Sequence, residues 1–116
     1  LGSIKDVDSN LILQIPPLPY LEFNYLVKNS KCVITDSGGI TEEATVMDVP
    51  CITLRNNTER PETVIQGTNE LVGNDSKKII SAINKVISGK WKKGKVPELW
   101  DGNAAKRILN HIIKIM

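Results

Sequence analysis

The sequence predicts an α/β fold: a parallel sheet of about four strands with flanking helices. Three observations predict it. Short β-branched runs such as Val33-Ile34-Thr35 and Cys51-Ile52-Thr53-Leu54 alternate with segments whose apolar residues recur at helical spacing. The connections between them are short, which favours parallel pairing through crossovers. Helix punctuation stands where the alternation needs it, with Pro19 and Pro61 at starts and Gly67 and Gly89 at ends. A chain of 116 residues is one domain, large enough for a core.

Taken in order, residues 1–10 are expected to be a helix tail or linker. Leu11-Ile12-Leu13-Gln14 is the first expected strand, leading through Pro16-Pro17 to a helix near 19–29. A strand over 32–36 feeds a helix over 39–47, and a strand over 51–54 precedes a short helix over 61–66, ended by Gly67. Glu70-Leu71-Val72-Gly73 is the last expected strand. Asp75 or Ser76 caps a helix whose apolar face is Ile79, Ile80, Ile83, Val86 and Ile87, with Gly89 as its C′ residue. The terminal helix, 103–115, carries Ile108, Leu109, Ile112, Ile113 and Met116 on one face.

Composition narrows the function. No apolar run approaches the ~18 residues of a membrane span. No signal peptide pattern opens the chain, so a cytoplasmic protein is expected, and a start at Leu1 implies a lost initiator or a trimmed chain. A net charge of +2 is too small to argue for nucleic acid. Lys90-Trp91-Lys92-Lys93-Gly94-Lys95 is a local basic patch, expected as a solvated loop, with phosphate attraction as the alternative. Cys32 and Cys51 are expected as buried free thiols, and two Cys with one His make no zinc site; no metal or cofactor is expected.

Two blocks carry chemistry. In the first, a strand stops at Thr35 and Asp36-Ser37-Gly38-Gly39 opens a helix. Glycines let the main chain approach a phosphate closely, while the first helical N–H groups lack internal partners and face the positive end of the helix dipole. Ser37 adds a hydroxyl donor. Glu43 follows one turn beyond Gly39, where a carboxylate can accept from sugar hydroxyls. In the second block, Arg55-Asn56-Asn57-Thr58-Glu59-Arg60-Pro61-Glu62 follows a strand. Pro61 fits the first helical position, which puts Arg60 at the N-cap, where Ser, Thr, Asp or Asn would serve the helix better. A guanidinium there suggests a bidentate grip on phosphate. In a parallel sheet both blocks open on the same carboxyl edge.

These residues carry a resemblance. Thr35-Asp36-Ser37-Gly38-Gly39-Ile40 with Glu42-Glu43-Ala44, then Leu54-Arg55 and Thr58-Glu59-Arg60-Pro61-Glu62, resembles the non-hydrolysing UDP-N-acetylglucosamine 2-epimerases. The likeness extends upstream through Pro17-Leu18 and Tyr20-Leu21-Glu22-Phe23. Downstream it takes in Gly67-Thr68, Leu71-Val72-Gly73, Asp101-Gly102-Asn103-Ala104 and Arg107-Ile108. The resemblance implies two Rossmann-like domains in a glycosyltransferase-B-type architecture with the active site between them. It implies inversion at C2 of UDP-GlcNAc to UDP-ManNAc by elimination and re-addition of UDP. Proton-transfer carboxylates belong to the N-terminal domain of that family, and the C-terminal domain holds UDP. This chain resembles the last part of that C-terminal domain, without its first two strand-helix units and a histidine that contacts the nucleotide. It is therefore expected to hold much of the UDP pocket, to have no catalytic residue of its own and to be inactive alone.

Each candidate keeps a plainer alternative. Ser37, Gly38 and Gly39 contact phosphate or merely form a turn, and Asp36 caps that turn or touches ligand. Glu43 orients the ribose or is a solvated helix carboxylate, while Glu42 is expected as a solvent-facing or structural partner. Arg60 holds phosphate or pairs with Glu59 or Glu62, and Arg55 can do either. Phe23 lies beside the uracil or in the core. His111 is expected at the surface, and Asp101 as an N-cap. The family's terminal helix packs on the N-terminal domain, so its apolar face is expected to be exposed here and to drive homo-oligomer formation. The expected ligand is UDP or UDP-GlcNAc, with no nucleic acid or membrane partner. The alternatives are the nucleotide-sugar donor domain of a related glycosyltransferase and a non-enzymatic nucleotide- or partner-binding module.

Overall fold

The computed structural model of the chain describes residues 11–116; the helix tail or linker expected at 1–10 lies outside them. Three strands, β1 (Val33–Thr35), β2 (Cys51–Thr53) and β3 (Asn69–Leu71), form a parallel sheet in the order β1-β2-β3. Val33 pairs with Cys51 and Cys51 with Asn69, so the three strands end on one edge. Helices α1 (Tyr20–Lys28), α2 (Gly38–Val46), α3 (Pro61–Ile65), α4 (Ser76–Ile87) and α5 (Ala104–Ile115) complete the order.

Strand alternation divides the core in two. Cys51 faces α1 and α2 and packs with Val27, Ala44 and Val49, flanked by Phe23, Val33 and Met47. Ile52 faces the other way and packs with Val72 and Ala82, against Ile79, Ile83 and Val86 of α4. The central strand β2 is thus buried on both faces, as an inner parallel strand requires, while Ile34 of the edge strand β1 stays exposed.

The first expected strand does not form, so the sheet has three strands rather than four. Residues 12–19 lie outside regular structure, and Leu11 and Leu13 are 80% and 86% exposed. A strand needs a ladder partner for its N–H and C=O groups, and residues 11–14 have none. The last strand begins at Asn69 and ends at Leu71, so Val72 and Gly73 fall in the turn beyond it. In α4, Asp75 caps by accepting from the Lys77 and Lys78 N–H groups, and Gly89 ends the helix at φ +71°. Ile80 and Ile87, expected on its apolar face, are exposed, because the sheet beneath is too narrow to cover so wide a stripe.

The expected solvated loop at 90–95 is a strap. Trp91 Nε1 donates to Thr68 O at 2.8 Å, the Lys95 N–H to Gln66 O at 2.6 Å, and Lys92 Nζ to Val64 O at 2.7 Å and also to Asn69 O. Burial lowers the Lys92 pKa. A Cβ at Gly94 would lie 2.7 Å from the Gly67 carbonyl carbon, so glycine is what lets the strap lie this close. Its backbone and long side chains satisfy carbonyls at the end of α3 and along β3 that water would otherwise have to reach.

Asp101 does not occupy the N-cap of α5; Asn103 does, without a side-chain cap. Asp101 accepts from the Asn103 N–H at 3.0 Å and pairs with Arg107, whose guanidinium, with that N–H, holds the carboxyl well below the usual range. Every residue of the apolar face of α5 is exposed, as is His111. No helix among the described residues is long and apolar enough to cross a membrane.

Candidate functional site: the carboxyl edge of the sheet

Thr35 ends β1 and the chain turns at Asp36-Ser37 into α2. The Ser37 N–H donates to Thr35 Oγ1 at 3.0 Å, fixing the turn through a side chain. Ser37 takes the N-cap position with extended backbone, yet its hydroxyl caps nothing in its own helix. Gly38 and Gly39 are the first two residues of α2. Neither has positive φ; a Cβ at Gly39 would meet nothing within 4 Å, and one at Gly38 only an ordinary contact, 3.6 Å from Glu59 Oε2. The turn therefore does not require glycine at either position. Glycine costs about 0.5–1 kcal/mol against alanine inside a helix, somewhat less at its end, so the fold alone does not account for this pair.

The second block folds against the first. Residues 54–60 leave the end of β2 on the same edge, and the Glu59 carboxylate lies over Gly38. Glu59 also pairs with Arg55 at 3.1 Å; a backbone N–H contact and that guanidinium hold its carboxyl below the ordinary value. Pro61 opens α3 with Arg60 at the N-cap position, φ −124° and ψ 63°. Thr58 Oγ1 accepts from the Arg60 N–H at 3.0 Å, which fixes the turn into α3, while no side chain among the described residues caps the helix itself. The ion pair expected with Glu59 or Glu62 forms elsewhere: Arg60 Nε donates to Glu42 Oε1. Glu42, first through its hydrogen bond and then through its charge, raises the Arg60 pKa further. Glu42 is thus a structural partner of Arg60.

Glu43 projects from the same helix into an open cavity of about 370 Å³ between α1 and α2, lined also by Tyr20, Asn24, Met47 and Trp100. Phe23 is half-buried against the Val27, Ala44 and Cys51 cluster and also lines a second open cavity with Thr35 and Ile40, the residues that flank the turn. Asp36 is exposed beside the turn. The structure thus brings together Ser37, Gly38, Gly39 and the Arg60 loop, places Glu43 one turn along, and sets Phe23, half-buried, in the cavity beside the turn.

Sequence reasoning missed a buried polar chain beneath the site. Thr53 Oγ1 donates to Asn69 Oδ1, Asn69 Nδ2 to Thr63 Oγ1 at 3.1 Å, and Thr63 Oγ1 to Arg60 O at 2.7 Å. All three side chains are 1% exposed or less. The chain ties the middle of the sheet to the backbone of Arg60. An asparagine entering a strand beside threonines was the available signal, but propensity alone reads such residues as turn formers. Among the described residues no group of three or more His, Cys, Asp or Glu could hold a metal ion.

Comparison with known proteins follows the same residues. The family profile described as UDP-N-acetylglucosamine 2-epimerase matches residues 3–113. The UDP-N-acetylglucosamine 2-epimerase of Methanococcus maripaludis is 44% identical over 112 residues, covering 94% of this chain and 30% of the relative. That of Methanocaldococcus jannaschii is 54% identical over 80 residues, covering 67% of this chain and 22% of the relative. Among solved structures, the M. jannaschii UDP-GlcNAc 2-epimerase in complex with UDP-GlcNAc and UDP superposes with TM-score 0.72 at 45% identity. It covers 86% of this chain and 27% of that one. The Neisseria meningitidis enzyme bound to UDP-GlcNAc gives TM-score 0.76 at 39% identity, covering 86% and 28%. The chain thus spans less than a third of these relatives. A match over nearly its whole length, in sequence and in fold, places it: the chain belongs to the UDP-N-acetylglucosamine 2-epimerase family.

Proposed function

We propose that this chain is the UDP-holding part of a UDP-N-acetylglucosamine 2-epimerase, which interconverts UDP-GlcNAc and UDP-ManNAc by elimination and re-addition of UDP. The diphosphate sits at the N-terminus of α2 on the backbone of Gly38 and Gly39, with the Ser37 hydroxyl and the Arg60 guanidinium completing its cradle. Glu43 orients the ribose, and Phe23 backs the uracil from the core side. These donors stabilise the diphosphate where its negative charge grows as it leaves the sugar carbon. The proton at C2 is handled by residues outside this chain, so the chain alone is inactive. The apolar face of α5 covers itself in the isolated chain by self-association.

The observation that carries the reading is the pair Gly38-Gly39: helical, without positive φ, open at Gly39 with the Arg55-paired Glu59 carboxylate beside Gly38, and set at a helix N-terminus against an arginine loop. Fold chemistry leaves the glycines unexplained, whereas close approach of a phosphate to the backbone explains them. Titration of the purified chain with UDP, followed by amide NMR shifts, tests it. The expected result is shifts centred on Ser37 to Glu43 and on Arg60, abolished in the Glu43→Ala/Arg60→Ala double variant. Absence of shifts at millimolar UDP would overturn the reading for this chain.

A further inference from the structure

Arg60 is held at two points and free at a third. Its carbonyl accepts from Thr63 Oγ1 at the end of the buried Thr53-Asn69-Thr63 chain, which fixes the backbone. Its Nε donates to Glu42 Oε1, which fixes the side chain from the first turns of α2. Its two terminal nitrogens have no hydrogen-bond partner among the described residues, and 43% of the side chain remains open to solvent. An arginine bound only through Nε keeps its terminal fork available for a planar, bidentate acceptor.

We infer that Glu42 is a positioning residue, which orients the Arg60 guanidinium so that its free fork meets the diphosphate at Ser37-Gly38-Gly39. This deepens the function proposed above and rests on it. The partner assignment is geometric. Glu42 belongs to the same helix whose N-terminus forms the phosphate cradle, so it ties Arg60 to that cradle directly. Of the two neighbouring carboxylates among the described residues, Glu59 is engaged by Arg55 and Glu62 makes no ion pair with Arg60, which leaves Arg60 to Glu42. A long arginine side chain loses conformational freedom whenever it binds; holding it beforehand removes that cost from the binding step. A support of this kind behaves as outer groups do around a metal ligand or catalytic side chain, acting on the ligand through another residue.

The test uses the full chain. Glu42→Ala is expected to weaken UDP binding about tenfold, the scale of one charge-assisted hydrogen bond losing its geometry. Arg60→Ala is expected to lose at least as much, and the Glu42→Ala/Arg60→Ala double variant little more than Arg60→Ala alone, since the two act through one group. Glu42→Gln keeps an acceptor for Nε and should recover most of the affinity. In the unliganded chain the Arg60 15Nε–H resonance should be resolved and slowly exchanging, and should broaden or vanish in Glu42→Ala. A simply structural Glu42 would instead lower the melting temperature without touching that coupling. UDP affinity unchanged or tighter in Glu42→Ala, with the wild type binding normally, overturns the inference and leaves the function proposal standing. A wild-type chain that gives no UDP shifts at all removes both together.

Discussion

At Gly39 an added methyl group would point into open space, and the backbone there is ordinary helix. Gly39→Ala should therefore leave the melting temperature unchanged or slightly raised, since alanine is the better helix former by up to about 1 kcal/mol. The same methyl would stand where a phosphate oxygen must reach the N–H, so UDP affinity should fall by roughly tenfold or more. Calorimetric titration beside a thermal melt separates the two effects, and a variant that binds UDP normally would place the phosphate elsewhere. Cys51 gives a second residue-scale expectation. Burial, partly offset by the Thr53 hydroxyl, pushes its thiol from an ordinary 9.0 up to about 11. The folded state thus holds the proton more tightly than the unfolded chain. The stabilisation is fully present below pH 9 and is lost as pH rises from 9 to about 11. The loss amounts to roughly 3 kcal/mol at most, at about 1.4 kcal/mol per pH unit. Chemical denaturation at pH 8 and pH 10.5 should show it, and Cys51→Ala should flatten most of the difference.

Elements here are short, and what fixes them is polar as much as apolar. Each strand has three residues and α3 has five, lengths at which a lone element would not persist in water. The Thr53-Asn69-Thr63 chain joins β2, β3 and α3 in one buried network. Replacing Asn69 by Leu would leave the buried Thr53 hydroxyl without its acceptor and the Thr63 hydroxyl with the Arg60 carbonyl alone, a cost of about 1–3 kcal/mol. The urea midpoint should fall accordingly. Because the chain ends on the Arg60 carbonyl, Asn69→Leu should also weaken UDP binding, although Asn69 is fully buried and far too deep to touch the ligand. The strap at 91–95 acts in the same way from outside, its lysine and tryptophan satisfying carbonyls along β3 and at the end of α3.

The whole molecule is extended for its length: its Cα radius of gyration is 17.2 Å, where a compact chain of this size would have about 13 Å. Helix α5 has no buried residue although Ile108, Leu109, Ile112 and Ile113 line one side of it. With Leu21, Tyr25 and Leu26 of α1 also exposed, the isolated chain presents more apolar surface than a soluble monomer usually carries. Sedimentation of the purified chain should show concentration-dependent association, and Ile108→Lys with Ile112→Lys should reduce it while leaving the urea midpoint nearly unchanged. A wild-type chain that stays monomeric at high concentration would end that expectation.

The sequence by itself determined the α/β alternation, the helix boundaries at Pro61, Gly67, Asp75 and Gly89, and the two blocks that face one sheet edge. These follow from local chemistry: β-branched runs, caps, fixed φ at proline, and glycine where others would clash. It also carried the family, because the order and spacing of those blocks are properties of the chain rather than of its folding. Only the tertiary structure decided that residues 11–14 form no strand, since a strand exists by pairing and its partner is not specified locally. Likewise it decided that Lys92 and Trp91 strap β3, that Asn69 is a buried junction, and that Arg60 turns to Glu42 rather than to its own neighbours Glu59 and Glu62. Each of these is a contact between residues well separated in the chain, which periodicity and propensity do not encode.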